Sequence, residues 1–388
     1  MASPTTLTDL IPTLYNALDV VSQEMVGFIP AVSRDATHER AALNQTVRSF
    51  VAPAVTSSNI TPGATAADSG GQEIGNVSMT ITKAKKTEIM WSGEEQLSIS
   101  APGITAQRIL QDQFAQGMRT LVNEIESDLA IAAYQGASRA TGTAGTNPFI
   151  IGSDKLIDNV ADVRQILADN GAPMGDLQLV VNTAAGAGLR KVPNLYKANE
   201  AGEAGLLRQG VIADLMGFQI RESAGVASPA AGTITAATND DGYAIGATEI
   251  ELTSAAVALV AGDVITFDGD TNQYVVAEGV SGSTGGTLKI AAPGLRQAIP
   301  AAETAITVVA TGPRNVAFSR SAVYLATRAP ALPSVGDMAD DRTLVTDPRS
   351  GLTFEVSVYR QYRQVKYEIG IAWGFVNTKA EHSAILLG

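Results

Sequence analysis

The stretch from about Ile104 to Tyr134 constrains this chain most, because Leu110, Phe114, Met118, Leu121, Ile125 and Leu129 recur at intervals of three and four residues, the spacing of one helix face. Asp112, Arg119, Glu124, Glu126 and Asp128 largely take the opposite face. A helix of ~30 residues is about 45 Å long at 1.5 Å per residue, longer than most helices of globular domains. Such a strut needs an equally long apolar surface laid against it.

Candidate partners lie on both sides. Leu10, Leu14, Leu18 and Val21 predict a short amphipathic helix from Thr8 to Val21, with Asp9 placed near its start as a cap. From Val47 to Trp91 the period changes to two, clearest where Val77, Met79 and Ile81 alternate with Ser78, Thr80 and Thr82, the pattern of a half-buried strand. Ser57 to Gly71, rich in Ser, Thr, Ala, Pro and Gly, reads as the tip of a long β-hairpin, or more plainly as a surface loop. A two-stranded arm is marginal in water, so one this long needs a surface to rest on, and in a self-associating chain that surface is a neighbouring copy.

Further on, Leu156, Val160, Val163 and Leu167 predict a helix from Lys155 to Ala168 with Asn170-Gly171 as its stop. Leu177 to Val181 reads as a buried strand, Thr183 to Lys191 as a helix, and Gly217 to Ile220 as a strand, giving α/β character without a regular repeat. At about Gly225 the composition shifts. Up to Gly312 the chain reads as short strands between Gly, Asp and Asn turns: Ala247 to Leu252, Val264 to Phe267, Tyr274 to Ala277 and Thr287 to Ala291. Asp240, Asp241, Glu249, Glu251, Asp263, Asp268, Asp270, Glu278 and Glu303 face only Lys289 and Arg296 there, so the segment reads as a charged all-β module, solvated on most sides. Asn315 to Thr327, a loop rich in Pro and Asp, and two alternating strands from Thr353 to Tyr359 and Gln364 to Ala372 follow, which makes the module inserted and not appended.

At 388 residues one compact core is not expected. Aromatic residues are only 5% of the chain and Gly numbers 37, so the apolar content is mostly small and aliphatic, suited to thin layers. A net charge of −12 argues against a surface that grips phosphates, and no sequence-specific nucleic-acid binding is expected. The N-terminus reads as having no secretion signal and no stretch approaches the ~20 apolar residues of a membrane span, so a soluble, cytoplasmically made chain with no membrane partner is expected.

Chemistry has little material. Cysteine is absent and His38 and His382 are the only histidines, which leaves almost nothing for thiolate, zinc or histidine-based catalysis. The strained Gly-x-Ser-x-Gly elbow is not supplied by Gly279-Val280-Ser281-Gly282 or Gly152-Ser153. Asp268-Gly269-Asp270-Thr271-Asn272 starts like a calcium loop, but Gln273 replaces the turn glycine and the closing Glu is missing, so a turn between strands explains it better. Gly186-Ala187-Gly188 hints at a phosphate-cradling turn without completing either phosphate motif. Lys83, Lys85 and Lys86 form a basic cluster on the hairpin's returning arm, close to Glu88, Glu94 and Glu95, suited to ion pairing between subunits or to a solvated face. No enzyme, cofactor or metal is expected.

The order of parts, an N-terminal arm, a long hairpin, a strut helix, and an α/β region interrupted by β strands, resembles the major capsid proteins of tailed bacteriophages, an α+β architecture known as the HK97-type fold. More narrowly it resembles the coat proteins of short-tailed phages (podoviruses), which carry an inserted β-domain. The likeness is carried by Leu177-Gln178-Leu179-Val180-Val181-Asn182, by Gly262-Asp263-Val264-Ile265-Thr266-Phe267, and by Asn315-Val316-Ala317-Phe318-Ser319-Arg320-Ser321-Ala322-Val323-Tyr324-Leu325-Ala326.

The resemblance implies an N-arm over residues 1–45, an E-loop hairpin and peripheral strand over 46–92 and a spine helix region of the peripheral domain over 93–140. It further implies the first part of an axial domain over 141–224, the inserted all-β domain over 225–312 and a return through axial and peripheral domains over 313–388. It implies self-assembly through pentamers and hexamers into an icosahedral shell around double-stranded DNA, with scaffolding and portal proteins as partners, in a virion made in the host bacterial cytoplasm. Under that reading Lys83, Lys85, Glu88, Arg108 and Arg119 are the candidates for intersubunit ion pairs. The alternatives are an encapsulin-like bacterial compartment, for which the module would be superfluous, and a β-rich surface adhesin or decoration protein, against which the strut helix argues.

Overall fold

A computed structural model describes residues 7–24, 27–51, 59, 75–99, 106–149, 158–192, 214–347 and 350–388. In chain order, α1 (Leu7–Glu24) and α2 (Phe28–Ala31) lead to β1 (Ser33–Ala41) and to an antiparallel ribbon of β2 (Thr46–Val51) and β3 (Gly75–Thr80). Next come β4 (Lys83–Ser92), α3 (Gly93–Ile99), α4 (Ala106–Gln135) and β5 (Arg139–Thr141), followed by α5 (Asp158–Asp169), β6 (Leu177–Val181), α6 (Thr183–Arg190), β7 (Asp214–Leu215) and β8 (Phe218–Glu222). Short strands fill the next stretch: β9 (Thr233–Ile234), β10 (Glu249–Glu251), β11 (Val257–Leu259), β12 (Val264–Phe267), β13 (Gln273–Glu278), β14 (Val280–Gly282), β15 (Thr287–Ile290) and β16 (Ile306–Val308). The chain closes with β17 (Arg314–Ser319), β18 (Val323–Pro330), β19 (Asp341–Thr346), β20 (Thr353–Gln361), β21 (Gln364–Asn377) and β22 (Ser383–Leu387).

The strut is α4, 30 residues long, and all six apolar residues that announced it are buried. It lies along β21. Phe114 meets the Tyr367 ring edge-on with centroids 5.5 Å apart, Gly117 approaches Ile369, Asp128 accepts from Trp373 Nε1 at 3.0 Å, and the Gly136 carbonyl accepts from Asn377 Nδ2 at 2.8 Å. These contacts advance together because the two rises match: Phe114 to Gly136 is about 33 Å at helical rise, and Tyr367 to Asn377 is about 33 Å at strand rise. The Asn377 contact also satisfies a carbonyl left open where the helix stops. α1 packs beside α4 in the same core, through Leu10, Leu14, Ala17, Leu18 and Val21.

The sheet that carries β21 runs β1-β18-β21-β20-β19, with β4 on the far edge of β21. The predicted alternation in β20 gives way to unbroken burial from Thr353 to Val358. Phe354, Val356 and Val358 join the α4 core, while Glu355 on the other face pairs with Arg342 at 3.1 Å and with Arg40. Both faces are covered, so the period-two signal shows as large against polar instead of buried against exposed.

A second, 11-stranded sheet follows β10-β15-β13-β5-β22-β17-β6-β8-β7, with β12 beside β13 and β16. α5 and α6 cover part of it, through a core that includes Val160, Val163, Leu167 and Leu189. α5 ends where Gly171 takes φ 74°, with Gly171 N bonded to the Ala168 carbonyl at 3.0 Å and Ala172 N to that of Leu167 at 2.9 Å, the paired closure of a Schellman motif. The β6–β8 pair is parallel, a single crossover.

Several expectations need correction. Asp9 is the third residue of α1, so it lies inside the helix and is not its cap. Lys155 and Leu156, Ile104 and all of the expected hairpin tip except Asn59 lie outside the described residues. Lys83, Lys85 and Lys86 belong not to the ribbon but to β4, because Ile81 N bonds back to Gln45 and Thr82 N crosses to the Trp373 carbonyl at 3.0 Å. The strands from 225 to 312 join the main sheet at one place, where Gln273 and Tyr274 of β13 pair with Ala140 and Arg139 of β5.

The ribbon's base sits on the face of the six-stranded sheet away from α4, where Met79 and Ile81 pack with Ala41, Ala326 and Ala372. A Cβ on Gly374 would fall 2.1 Å from the Thr80 carbonyl. Gly374→Ala is therefore expected to lower stability by about 1–3 kcal/mol, read by chemical denaturation. Gly175→Ala, where an added Cβ meets nothing within 4 Å, is the control expected to be near neutral.

Candidate functional site

α4 makes two polar junctions, one on each flank of its apolar stripe, and both join parts far apart in the sequence. The first is a charged seam with β4. Lys83 Nζ lies 2.8 Å from Asp128 Oδ1 and 3.3 Å from Glu124 Oε1, and Lys85 Nζ lies 2.5 Å from Glu124 Oε1. One turn of helix separates the two carboxylates and one strand repeat the two lysines, so the pairs stack in step. The hydrogen bond to Asp128 raises the Lys83 ammonium above its ordinary value. Burial pushes the Glu124 carboxyl up, but the ammonium groups of Lys85 and Lys83 outweigh it and hold the carboxyl below the usual range.

A second charged cluster lies on the opposite face of β4 and β21. Glu88 lies 2.8 Å from both Lys366 and Lys86, and Lys86 lies 2.9 Å from Glu368. Hydrogen bonds from Lys366 first, then Lys86, bring the Glu88 carboxyl down to about 2, and the same network raises Lys86.

The second junction is centred on Glu126. Its carboxylate accepts from Phe28 N and, at 3.0 Å, from Ile29 N at the start of α2, and from Ser223 Oγ at 2.7 Å just past β8. Ser223 Oγ in turn accepts from Gly225 N at 3.1 Å. A Cβ at position 27 would stand 1.8 Å from Glu126 Oε1, so any larger residue there would displace the carboxylate from this junction. A cleft of about 430 Å3 opens beside it, lined by Val21, Ile29, Arg119, Glu126, Glu222 and Ser223 among others.

The sequence-derived candidates fall differently. Lys83 and Lys85 come together in the seam, while Glu88 belongs to the cluster on the other face of β4, and each is already paired within its own chain. Arg119 lies apart, lining the cleft and bonding Gln116 Oε1 at 2.6 Å. Arg108 is exposed on the first turn of α4. Glu95, grouped by sequence with the lysines, instead accepts from Ser92 N at 2.8 Å and caps α3. Sequence reasoning placed Glu126 only on a solvent face and did not single out Gly27 or Ser223. The available signal was Gly27 directly before an apolar Phe-Ile pair, which marks a helix start without naming its distant cap.

The remaining motifs are structural. Gly186 and Gly188 lie inside α6, where added Cβ atoms would meet the Glu222 carboxylate at 2.6 Å and Asn147 at 2.5 Å. They permit close packing beside a negative charge, the opposite of a phosphate cradle. Asp270, from the calcium-like turn, accepts from Asn272 N at 2.9 Å and from Tyr274 OH at 2.7 Å, and burial, then Asp270, lifts the Tyr274 phenol to about 12. His382 is lowered by burial, then by Lys379. Among the described residues no group of three or more His, Asp or Glu converges as metal ligands, and no helix is long and apolar enough to cross a membrane.

No family model matches this sequence, and no curated protein does either. Solved structures similar to it include a capsid of the cyanophage P-SCSP1u, at 9% identity over 93% of this chain and 88% of the other, with a TM-score of 0.48. A structure from Mycobacterium phage Che8 is 13% identical over 89% of this chain and 85% of that one, with a TM-score of 0.45. A virus-like particle from Pyrococcus furiosus is 11% identical over 97% of this chain and 98% of that one, with a TM-score of 0.44.

Two outcomes follow for the junctions. Glu126→Ala strands two backbone N–H groups and a hydroxyl, and is expected to lower stability by about 1–3 kcal/mol in denaturant titration. Because the Glu88 carboxyl sits lower in the folded chain, its contribution is complete above the ordinary value of 4.5 and fades as pH falls from there through about 2. Glu88→Gln should therefore flatten the loss of stability between about pH 5 and about pH 3, measured as urea midpoints; an unchanged acid limb would assign the loss to other carboxylates.

Proposed function

We propose that this chain is a structural subunit of a closed protein shell, the major capsid protein of a tailed phage with the HK97-type fold, of the short-tailed-phage family with an inserted β-domain. The observation that carries the proposal is the β2–β3 ribbon. Among the described residues it pairs with no third strand and is held at its base by Met79 and Ile81. Two-stranded ribbons are marginal in water, so one that departs from its own sheet is best accounted for if a neighbouring subunit supports it. Phage capsid and virus-like particle are also the assemblies for which the similar structures are named.

Under this reading residues 1–45 are the N-arm, 46–92 the E-loop and its peripheral strand, 93–140 the spine helix region, 141–224 and 313–388 the axial domain with the return to the periphery, and 225–312 the inserted domain. Many modest contacts between copies, repeated by closed symmetry as pentamers and hexamers, add up to a stable shell. Scaffolding and portal proteins act at assembly, which takes place in the host cytoplasm. Arg108 and Arg119 join the intersubunit contacts, with Lys83 and Lys85 on one face of β4 and Glu88 on the other contributing where those faces meet a neighbour. The net charge of −12 leaves enclosed DNA unattached to the wall. The role is structural and not enzymatic.

Electron microscopy and light scattering of the purified chain, alone and co-expressed with its neighbouring genes, test this. Closed shells tens of nanometres across are expected, by order of magnitude for many copies of a domain this size. Their contents, DNA or a protein cargo, separate a virion from a storage compartment. A monomer under every condition overturns the proposal.

A further inference from the structure

One corner of the six-stranded sheet carries features its own chain does not use. The two-residue turn between β20 and β21, closed by the Gln361–Gln364 pair, is Tyr362-Arg363. Tyr362 is 90% exposed, and Arg363 holds φ 57°, a left-handed position where Gly or Asn would be less costly. The Arg363 carbonyl accepts from Gly93 N at 3.1 Å, which sets the start of α3 against this turn. α3 carries exposed Glu94 in its first turn and, one turn on, Leu97, which is 79% exposed.

The charges at this corner are unpaired although they are close neighbours. Neither Arg363 nor Glu94 has an oppositely charged partner among the described residues; the Arg363 guanidinium lies instead 6.0 Å from the Tyr362 ring centroid. Glu95, beside them, is consumed by the Ser92 cap, and Arg360 is paired with Asp340 at 3.4 Å. Single exposed apolar residues are ordinary on any protein. Here two large ones share a corner with an idle cation and an idle carboxylate.

We propose that this corner is a self-association surface whose occupant is a second copy of this chain, the Tyr362-Arg363 turn of one copy seating against Glu94 and Leu97 of the next. The chain presents both halves of a complementary pair: an aromatic beside a cation, and an aliphatic beside a carboxylate. The two halves differ, so the contact is heterologous, and its repetition about a rotation axis closes a ring in which every Arg363 finds a neighbour's Glu94. The strained turn then has a reason, because a glycine at position 363 would relieve the backbone and remove the cation. The inference rests on the shell reading above and specifies one of its contacts.

Charge reversal tests it in the full-length chain. Arg363→Glu and Glu94→Arg should each weaken self-association by about tenfold or more, as reversed charges at a contact do, read by sedimentation velocity and by the yield of particles in electron micrographs. The double variant R363E/E94R restores the pair with its sense exchanged and should recover most of the loss. Tyr362→Ser with Leu97→Ser should also lose assembly. All four sites are surface positions, and thermal melts within a few degrees of the parent chain, as expected for surface substitutions, show that the fold is intact. Parent chains that form shells while both single reversals assemble equally well, or a double variant no better than the singles, overturn this corner and leave the shell reading standing. A parent chain that never associates overturns both.

Discussion

The apolar face of α4 must be covered along its whole length, and most of the peripheral architecture follows from how that is done. Two periodicities have to agree over about 33 Å, and they agree because fewer than half as many strand residues span the distance of a given number of helical ones. β21 therefore has to be long, 14 residues, and its neighbours line up along it in succession, β20 beside its first half and β18 beside its second. α1 then packs beside the helix and reaches β19 of the same sheet. Fully burying six large apolar side chains is worth on the order of 10 kcal/mol against water, before conformational entropy is charged against it.

Against that figure the charged seam is small. Partly exposed ion pairs contribute about 0–1 kcal/mol each, and the Lys83 and Lys85 side chains are partly open to solvent. The seam cannot be what holds the helix to the sheet. It can fix register, because sliding α4 by one turn would put Thr120 or Ala132 in place of one of the two carboxylates that face Lys83, and would detach Trp373 Nε1 from Asp128. Apolar contact supplies the attraction and the charges choose among the offsets that apolar contact alone would tolerate. Glu126 does similar work on the other side of the helix from the seam, tying α2 and the end of β8 to it.

Periodicity made the elements legible and left their partners hidden. Helix α4, strand β6 and strand β12 follow directly from local spacing, the two strands within the bounds read from sequence, because a face that must be buried writes its period into the chain. The joining of β13 to β5 is invisible locally: β5 is three residues long, too short to carry a period, and its partner lies more than a hundred positions away. The basic cluster was visible as residues but not as a seam, since nothing at Lys83 or Lys85 says which carboxylates 40 residues on will face them. Glu126 looked like any exposed acid on a helix. Its role emerges only with Gly27, whose lack of a side chain reads in sequence as a turn and in space as room for a carboxylate.

The sheet under α4 also explains the composition. Its helix-facing side uses Tyr367, Ile369, Ile371 and Trp373, while the alternate positions are Gly370, Ala372 and Gly374. Large residues fill the space against a cylinder of radius about 5 Å; small ones let a second backbone come within contact of the first, as the Thr80 carbonyl does at Gly374. A layer built this way is thin on one side and cannot acquire a second deep core there without losing the approach of the ribbon. A low aromatic content and a high glycine count are two consequences of one packing choice.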